Sequence, residues 1–254
     1  MAEPSPVKRT GAPGGAKGFV LVVDSEPQGL IFTSMIVQRL GYHACSALGV
    51  GNALEIASSS APSVVITDLH LKGLSGLDLI ERLRQKPSTS AVPVVIMTRE
   101  LTPEIARDCR TAGAAACLEK PIRAPELFEA IHPLIEPGTR RKDVRIETRL
   151  SVIVDDLPLD CRNGECAVNL SVNGMHLRTR RSYPVNAQVR VRLTLNDEVI
   201  KAEARAVHCR PAEDGSPGMW GIGLQFLKTS PEAGEIIRRF INDEVTHGIG
   251  SGVE

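Results

Sequence analysis

From Gly18 onward the chain alternates between two textures. Short apolar runs end in a polar residue: Phe19–Val23 before Asp24, Val64–Thr67 before Asp68, Val92–Met97 before Thr98, and Ala114–Leu118 before Lys120 and Pro121. Between them, apolar residues recur at helical spacing, first at Leu30, Ile31, Met35, Val37 and Leu40. The pattern returns over Leu54–Ala57, Leu77–Leu83, Ile105–Cys109 and Leu127–Leu134. Buried runs alternating with amphipathic helices predict βαβ units and a parallel sheet covered on both faces. His43–Ser46 supplies a fifth strand.

After Pro137-Gly138 the helical spacing gives way to short alternating strands. These are Ser151–Val154, Cys166–Leu170, Met175–Arg178, Val189–Leu195, Val199–Cys209 and Gly221–Leu227. The run Val-Arg-Val-Arg-Leu-Thr-Leu at 189–195 has the period of two expected of an antiparallel strand with one wet face. Asn163-Gly164 predicts a two-residue hairpin turn. Pro231–Val245 reads as a closing helix with Ser230 as its N-cap. The expected architecture is therefore two domains. An α/β domain with a five-stranded parallel sheet spans 18–136, and a small antiparallel β-barrel with a C-terminal helix spans 137–246. Residues 1–17 (Pro, Gly, Ala and Lys with little to bury) read as a disordered arm, and 247–254 as a flexible tail.

Composition narrows the function classes. Thirty basic against thirty acidic residues leave no formal charge, which argues against a generic nucleic-acid binder. At 3% aromatic residues, a base-stacking platform of the single-strand-binding type is not expected either. No apolar run reaches the length of a membrane span, and the basic N-terminal residues are not followed by the apolar core of a secretory signal. The six cysteines include no C-x-x-C pair and read as reduced thiols of a cytoplasmic protein. Cys161 and Cys166 flank the expected hairpin, and there too free thiols are the expectation. The histidines share no metal-like spacing.

In an open parallel sheet, ligands sit beyond the C-terminal strand ends. Asp24, Asp68, Thr98 and Lys120 fall there. Carboxylates with a hydroxyl and an ammonium suit phosphoryl transfer to an acid. This arrangement, with Asp68-Leu-His-Leu-Lys-Gly-Leu-Ser-Gly76, resembles the receiver domain of bacterial two-component response regulators, a flavodoxin-like fold. The resemblance implies Asp68 as phosphoacceptor and a sensor histidine kinase as partner. It implies Thr98 and Lys120 as the switch pair, with a cis-Pro121. It also implies a Mg²⁺ site formed by Asp24, Asp68 and the backbone carbonyl of His70. Two departures matter. The family's second acid after the first strand is Ser25 here, which weakens Mg²⁺ binding, and its switch aromatic is Cys117.

The second constellation lies where the domains join. Arg141 and Arg145 can fork onto phosphates or lie flat on purines. Asn169 and Ser171 are two apart, so in a strand they share a face, and Gly174 lets the backbone turn. The motifs R-x-x-x-R and N-x-S-x-x-G, with Gly221-Ile-Gly-Leu-Gln-Phe226, resemble a PilZ domain, the bacterial receptor module for cyclic di-GMP. Arg140 resembles an additional arginine of members that bind a stacked pair of dinucleotides.

The resulting expectation is a cytoplasmic bacterial signalling effector without catalytic turnover. It binds cyclic di-GMP through Arg140, Arg141, Arg145, Asn169, Ser171 and Gly174. It acts on motility, attachment or exopolysaccharide output through an unidentified downstream protein, with no direct DNA binding. The alternatives are an interaction adaptor that binds no nucleotide, and a phosphorylation-driven regulator whose barrel only transmits.

Overall fold

The computed structural model describes residues 18–139, 143–212 and 215–249. The expected arm, Arg140 and Arg141 lie outside the described residues. Two compact units divide the chain, one holding the parallel sheet and the other spanning Asp143–Glu244.

In the first unit the strands are β1 (Val20–Val23), β2 (Ala44–Ala47), β3 (Val64–Asp68), β4 (Val94–Thr98) and β5 (Ala116–Glu119). They alternate with helices α1 (Pro27–Arg39), α2 (Val50–Ser59), α3 (Gly76–Arg84), α4 (Pro103–Thr111) and α5 (Ala124–Ile135). The sheet order is β2-β1-β3-β4-β5, all parallel. The apolar runs read from the sequence are its central strands: every residue of β1, β3 and β4 is buried. That is what helices on both faces demand of a strand. Helix starts follow local chemistry. Pro27 opens α1, Thr102 accepts from the Ile105 amide at 3.2 Å to open α4, and Ser75 forms a reciprocal capping box with Asp78 to open α3.

The second unit is an antiparallel sheet of eight strands, curled around its own core, followed by α6 (Pro231–Thr246). The strands are β6 (Ile146–Leu150), β7 (Val152–Val154), β8 (Leu157–Pro158), β9 (Cys166–Ser171), β10 (Gly174–Thr179), β11 (Gln188–Leu195), β12 (Glu198–Pro211) and β13 (Trp220–Lys228). Their order is β6-β9-β10-β13-β12-β11-β7-β8. The alternation read at 189–195 is borne out. Val189, Val191, Leu193 and Leu195 are buried while the residues between them are exposed, each buried side chain contributing about 1.5–3 kcal/mol. Ser230 caps α6, its hydroxyl accepting from the Ala233 amide at 3.2 Å.

The turn at Asn163-Gly164 differs from expectation. Cys161–Asn163 form a single 3-10 turn, which Gly164 terminates in the left-handed region at φ 79°. The strands on either side do not pair with each other: β8 pairs with β7, and β9 with β6 and β10. Asp160 decides this locally by accepting from the Arg162 amide and the Asn163 side chain. The two-residue hairpins instead turn at Asp155-Asp156 and Asn196-Asp197, all four residues at positive φ. The six cysteines are free thiols. Of the segment 247–254, the described part closes a turn at Gly248, and Ile249 is buried.

Candidate functional site

The C-terminal end of the parallel sheet brings together Asp24, Asp68, Thr98 and Lys120, residues up to 96 positions apart. The Lys120 ammonium donates to Asp24 Oδ2 at 2.9 Å and to Asp68 Oδ2. The other oxygen of each carboxylate is held by backbone: the Glu26 amide donates to Asp24 Oδ1 and the His70 amide to Asp68 Oδ1, both at 2.8 Å. The Asp24 side chain is almost fully buried, whereas that of Asp68 keeps 12% of its surface open. Asp68 is thus the carboxylate an incoming group can reach. Burial by itself pulls the Lys120 ammonium down, but its hydrogen bonds to Asp24 and Asp68 and their charge outweigh that and leave it above the ordinary lysine value. The Lys120–Pro121 peptide is cis.

Two glycines make room for this cluster. A Cβ at Gly29 would stand 2.7 Å from Asp24 Oδ2, and one at Gly76 would stand 2.5 Å from the Asp68 carbonyl oxygen. Thr98 is buried, and its hydroxyl donates to the Glu100 carbonyl at 3.1 Å. The His70 side chain is exposed. Cys117 lies against Cys109. Burial, then the neighbouring thiol, push the Cys117 thiol up to about 12.

The donor set fits a divalent cation incompletely. Asp24 and Asp68 offer two carboxylates, one full charge of which Lys120 already neutralises. Ser25 is buried and uncharged, and the Glu26 carboxylate is paired with Arg99 at 2.8 Å. Among the described residues no cluster of three His, Cys, Asp or Glu side chains could hold a metal ion.

The second constellation is built on β6, β9 and β10. Val144 and Ile146 are buried, so Arg145 between them is turned out and exposed. Ile146 pairs with Leu170 and Glu147 with Asn169; continuing that register by one residue sets Arg145 across from Ser171. On β9, Leu170 is fully buried, which turns Asn169 and Ser171 to the opposite face; Asn169 is partly exposed there, whereas Ser171 is buried beneath the β9–β10 turn. The structure therefore joins Arg145, Asn169 and Ser171 on one face, while Arg140 and Arg141 are outside the described residues.

Two details were not legible in the sequence. The Asn173 amide donates to both oxygens of Asp143 at 2.9 Å, which fastens the arginine-bearing segment to the β9–β10 turn. Both residues lie inside the motifs, at positions the motifs leave open. Gly174 is also needed for a different reason than turning. Its φ is not positive, but a Cβ there would stand 2.2 Å from the Leu224 carbonyl oxygen of β13. The Ser171 hydroxyl closes the turn by donating to the Gly174 carbonyl at 3.1 Å. Arg178 is half-buried and donates to Ser216 Oγ at 2.7 Å.

Comparison with known proteins matches both halves. The family model of the response regulator receiver domain matches residues 20–132, and that of the PilZ domain matches 139–243. The sensory/regulatory protein RpfC of Xanthomonas campestris is 29% identical over 147 residues, 56% of this chain and 20% of that protein. Protein PilH of Pseudomonas aeruginosa is 26% identical over 116 residues, 46% of this chain and 96% of that protein. A probable cyclic di-GMP phosphodiesterase of Vibrio cholerae is 28% identical over 126 residues, 49% of this chain and 28% of that protein. The chain thus spans about a fifth of the length of RpfC. Among solved structures, the chemotaxis protein CheY4 of Vibrio cholerae covers 47% of this chain and 99% of its own, at 24% identity and a TM-score of 0.45. No helix among the described residues is long and apolar enough to cross a membrane.

Proposed function

This chain joins a response regulator receiver domain to a PilZ domain, and from that premise we propose that it is a cytoplasmic signalling effector, without catalytic turnover, whose barrel binds cyclic di-GMP. The observation that carries the reading is the outer face of β6 and β9. It presents the Arg145 guanidinium beside the Asn169 amide, with Ser171 buried behind them closing the turn, and the Asp143–Asn173 bond ties the chain just before Arg145 to that turn. A guanidinium supplies a fork of donors for a phosphate, and an amide supplies both donor and acceptor for a base edge. Arg140 and Arg141 complete the anion grip from the same segment.

The binding step also suggests the output. Free, a segment with three guanidinium groups repels itself. Bound, the groups share an anion, which offsets that repulsion. Because that segment joins the two domains, ligand shifts their arrangement to the extent that it binds one arrangement more tightly than the other. Regulation of motility, attachment or exopolysaccharide output through a downstream protein follows as the proposed use. Calorimetric titration of the folded chain with cyclic di-GMP tests the reading. Heat of binding is expected from the wild type and its loss from Arg141→Ala; no heat from the folded wild type overturns the reading in favour of an adaptor.

A second reading has its own support in the Asp24–Asp68–Lys120 cluster, which suits a receiver phosphorylated on Asp68 by a sensor kinase. Mg²⁺ binding there is expected to be weak because Ser25 adds no charge. Acetyl phosphate with Mg²⁺ should add the mass of one phosphoryl group to the wild type and none to Asp68→Asn. An unmodified wild type sinks this reading and leaves the first untouched.

A further inference from the structure

The outer face that carries Asn169 continues across β10, β13 and β12, and there it holds two imidazoles. His176 on β10 and His208 on β12 both pair in register with Gly223 of β13, the strand between them. Met175 and Leu177 on either side of His176 are buried, and so is Ile222 beside Gly223, so the histidines point away from the core. Each remains partly exposed. Because Gly223 has no side chain, the rings meet above it. Their centroids are 5.3 Å apart at an interplanar angle of 34°, and His208 Nε2 is 3.4 Å from His176 Nδ1. A Cβ at Gly223 would stand 2.1 Å from His208 Cε1, and one at Gly221 would stand 2.9 Å from His176 Nε2. The two glycines of Gly221-Ile-Gly223 thus leave a slot in which the imidazoles lie close to the strand backbone.

The position of this pair suggests its use. Asn169 is the direct cross-strand neighbour of His176, so the backbone that carries the first imidazole lies one strand spacing, about 5 Å, from the backbone that carries the amide of the nucleotide motif. Arg178 and Arg205 stand on the same face, one row to either side: Arg178 pairs with Gly221 and Arg205 with Gln225. Two five-membered rings side by side, tilted 34° to each other, offer adjacent aromatic faces for a bicyclic base, with arginines on both flanks. The chain is poor in aromatic residues, and imidazole is the flat ring it places here.

We propose that His176 and His208 form a stacking shelf for one guanine of the bound dinucleotide. This rests on the reading of the barrel as a cyclic di-GMP receptor. Asn169 addresses the ligand's polar edge from the neighbouring strand, and the glycines of β13 leave room for the rings to lie against the strand. Gly223 serves the site through the space it leaves.

The test is titration of the full chain with cyclic di-GMP, by calorimetry and by proton NMR of the histidine rings. His176→Ala and His208→Ala are expected to weaken binding by about 5- to 150-fold, the range for loss of one base–aromatic stack. His176→Phe and His208→Phe are expected to keep affinity close to wild type. The ring-proton resonances of both histidines should move upfield as wild type is saturated. Trp220 fluorescence and thermal melting of the free variants report whether they fold; if an alanine variant does not, the phenylalanine variants and the wild-type ring shifts decide. Wild type that does not bind overturns the receptor reading and the shelf with it. Wild type that binds, with folded alanine variants of equal affinity, with phenylalanine variants as weak as alanine, or with unmoved ring protons, overturns the shelf alone.

Discussion

Replacing Gly174 by alanine separates two explanations of the same glycine. If it served only to let the chain turn, its φ would be positive and alanine would be strained by the turn itself. Its φ is not in that region. The obstacle is instead the Leu224 carbonyl oxygen, 2.2 Å from where a Cβ would sit, with Gln225 Cα and Leu224 C both at 3.3 Å. A carbon–oxygen contact settles near 3.3–3.6 Å, so β10 and β13 must part by about 1 Å. The neighbouring atoms are backbone in a paired ladder and cannot swing aside as a flexible side chain would. Overpacking of this kind costs about 1–3 kcal/mol. Weakening of one ladder bond, or of the Ser171–Gly174 bond, adds about 1 kcal/mol, for an expected loss of about 2–4 kcal/mol. Urea unfolding followed by tryptophan fluorescence measures it directly, because the single tryptophan, Trp220, lies on β13 of the same sheet. With a slope of about 2 kcal/mol per molar urea, the middle of the usual range, the midpoint should fall by roughly 1–2 M. A midpoint within the error of wild type would refute the close-approach argument and return Gly174 to the ligand.

Other expectations follow from the same geometry. Ser75→Ala should cost the receiver domain about 1 kcal/mol through loss of the capping box. The Ser75 amide and hydroxyl hold the Asp78 carboxyl below its ordinary value of 3.8. Its contribution is therefore present above that pH and lost as pH falls through the lower folded value, and acid denaturation curves of wild type and variant should converge there. Lys120 is raised, so its contribution is complete below about pH 10.4 and lost as pH rises through the folded value. Circular dichroism of wild type should show a loss of stability in that alkaline range that Lys120→Met lacks. Cys117, pushed up to about 12, should react with iodoacetamide at pH 8 roughly a thousandfold more slowly than a free thiol near 8.5; peptide-resolved labelling that finds it as fast as an exposed cysteine would contradict the packing against Cys109.

Binary patterning carried much of the architecture. The apolar runs at 20–23, 64–67 and 94–97 could be satisfied only by burial on both faces, and helices of period 3.6 between them leave little besides a parallel sheet. That sheet sets Asp24, Asp68, Thr98 and Lys120 at one end, because each follows a strand and parallel strands all end on the same side. The alternation at 189–195 fixed its strand and its wet face for the same reason. What patterning could not settle was long-range register. Asn163-Gly164 has the composition of a hairpin, yet Asp160 offers its carboxylate to the next turn and the chain takes a 3-10 path. Asp143 and Asn173, thirty positions apart, meet only because β6 lies beside β9. His176 and His208 share no spacing that a sequence reader could use. They become neighbours because β10 and β12 flank β13 and both register on a glycine, an arrangement that cross-strand pairing creates and local sequence does not encode.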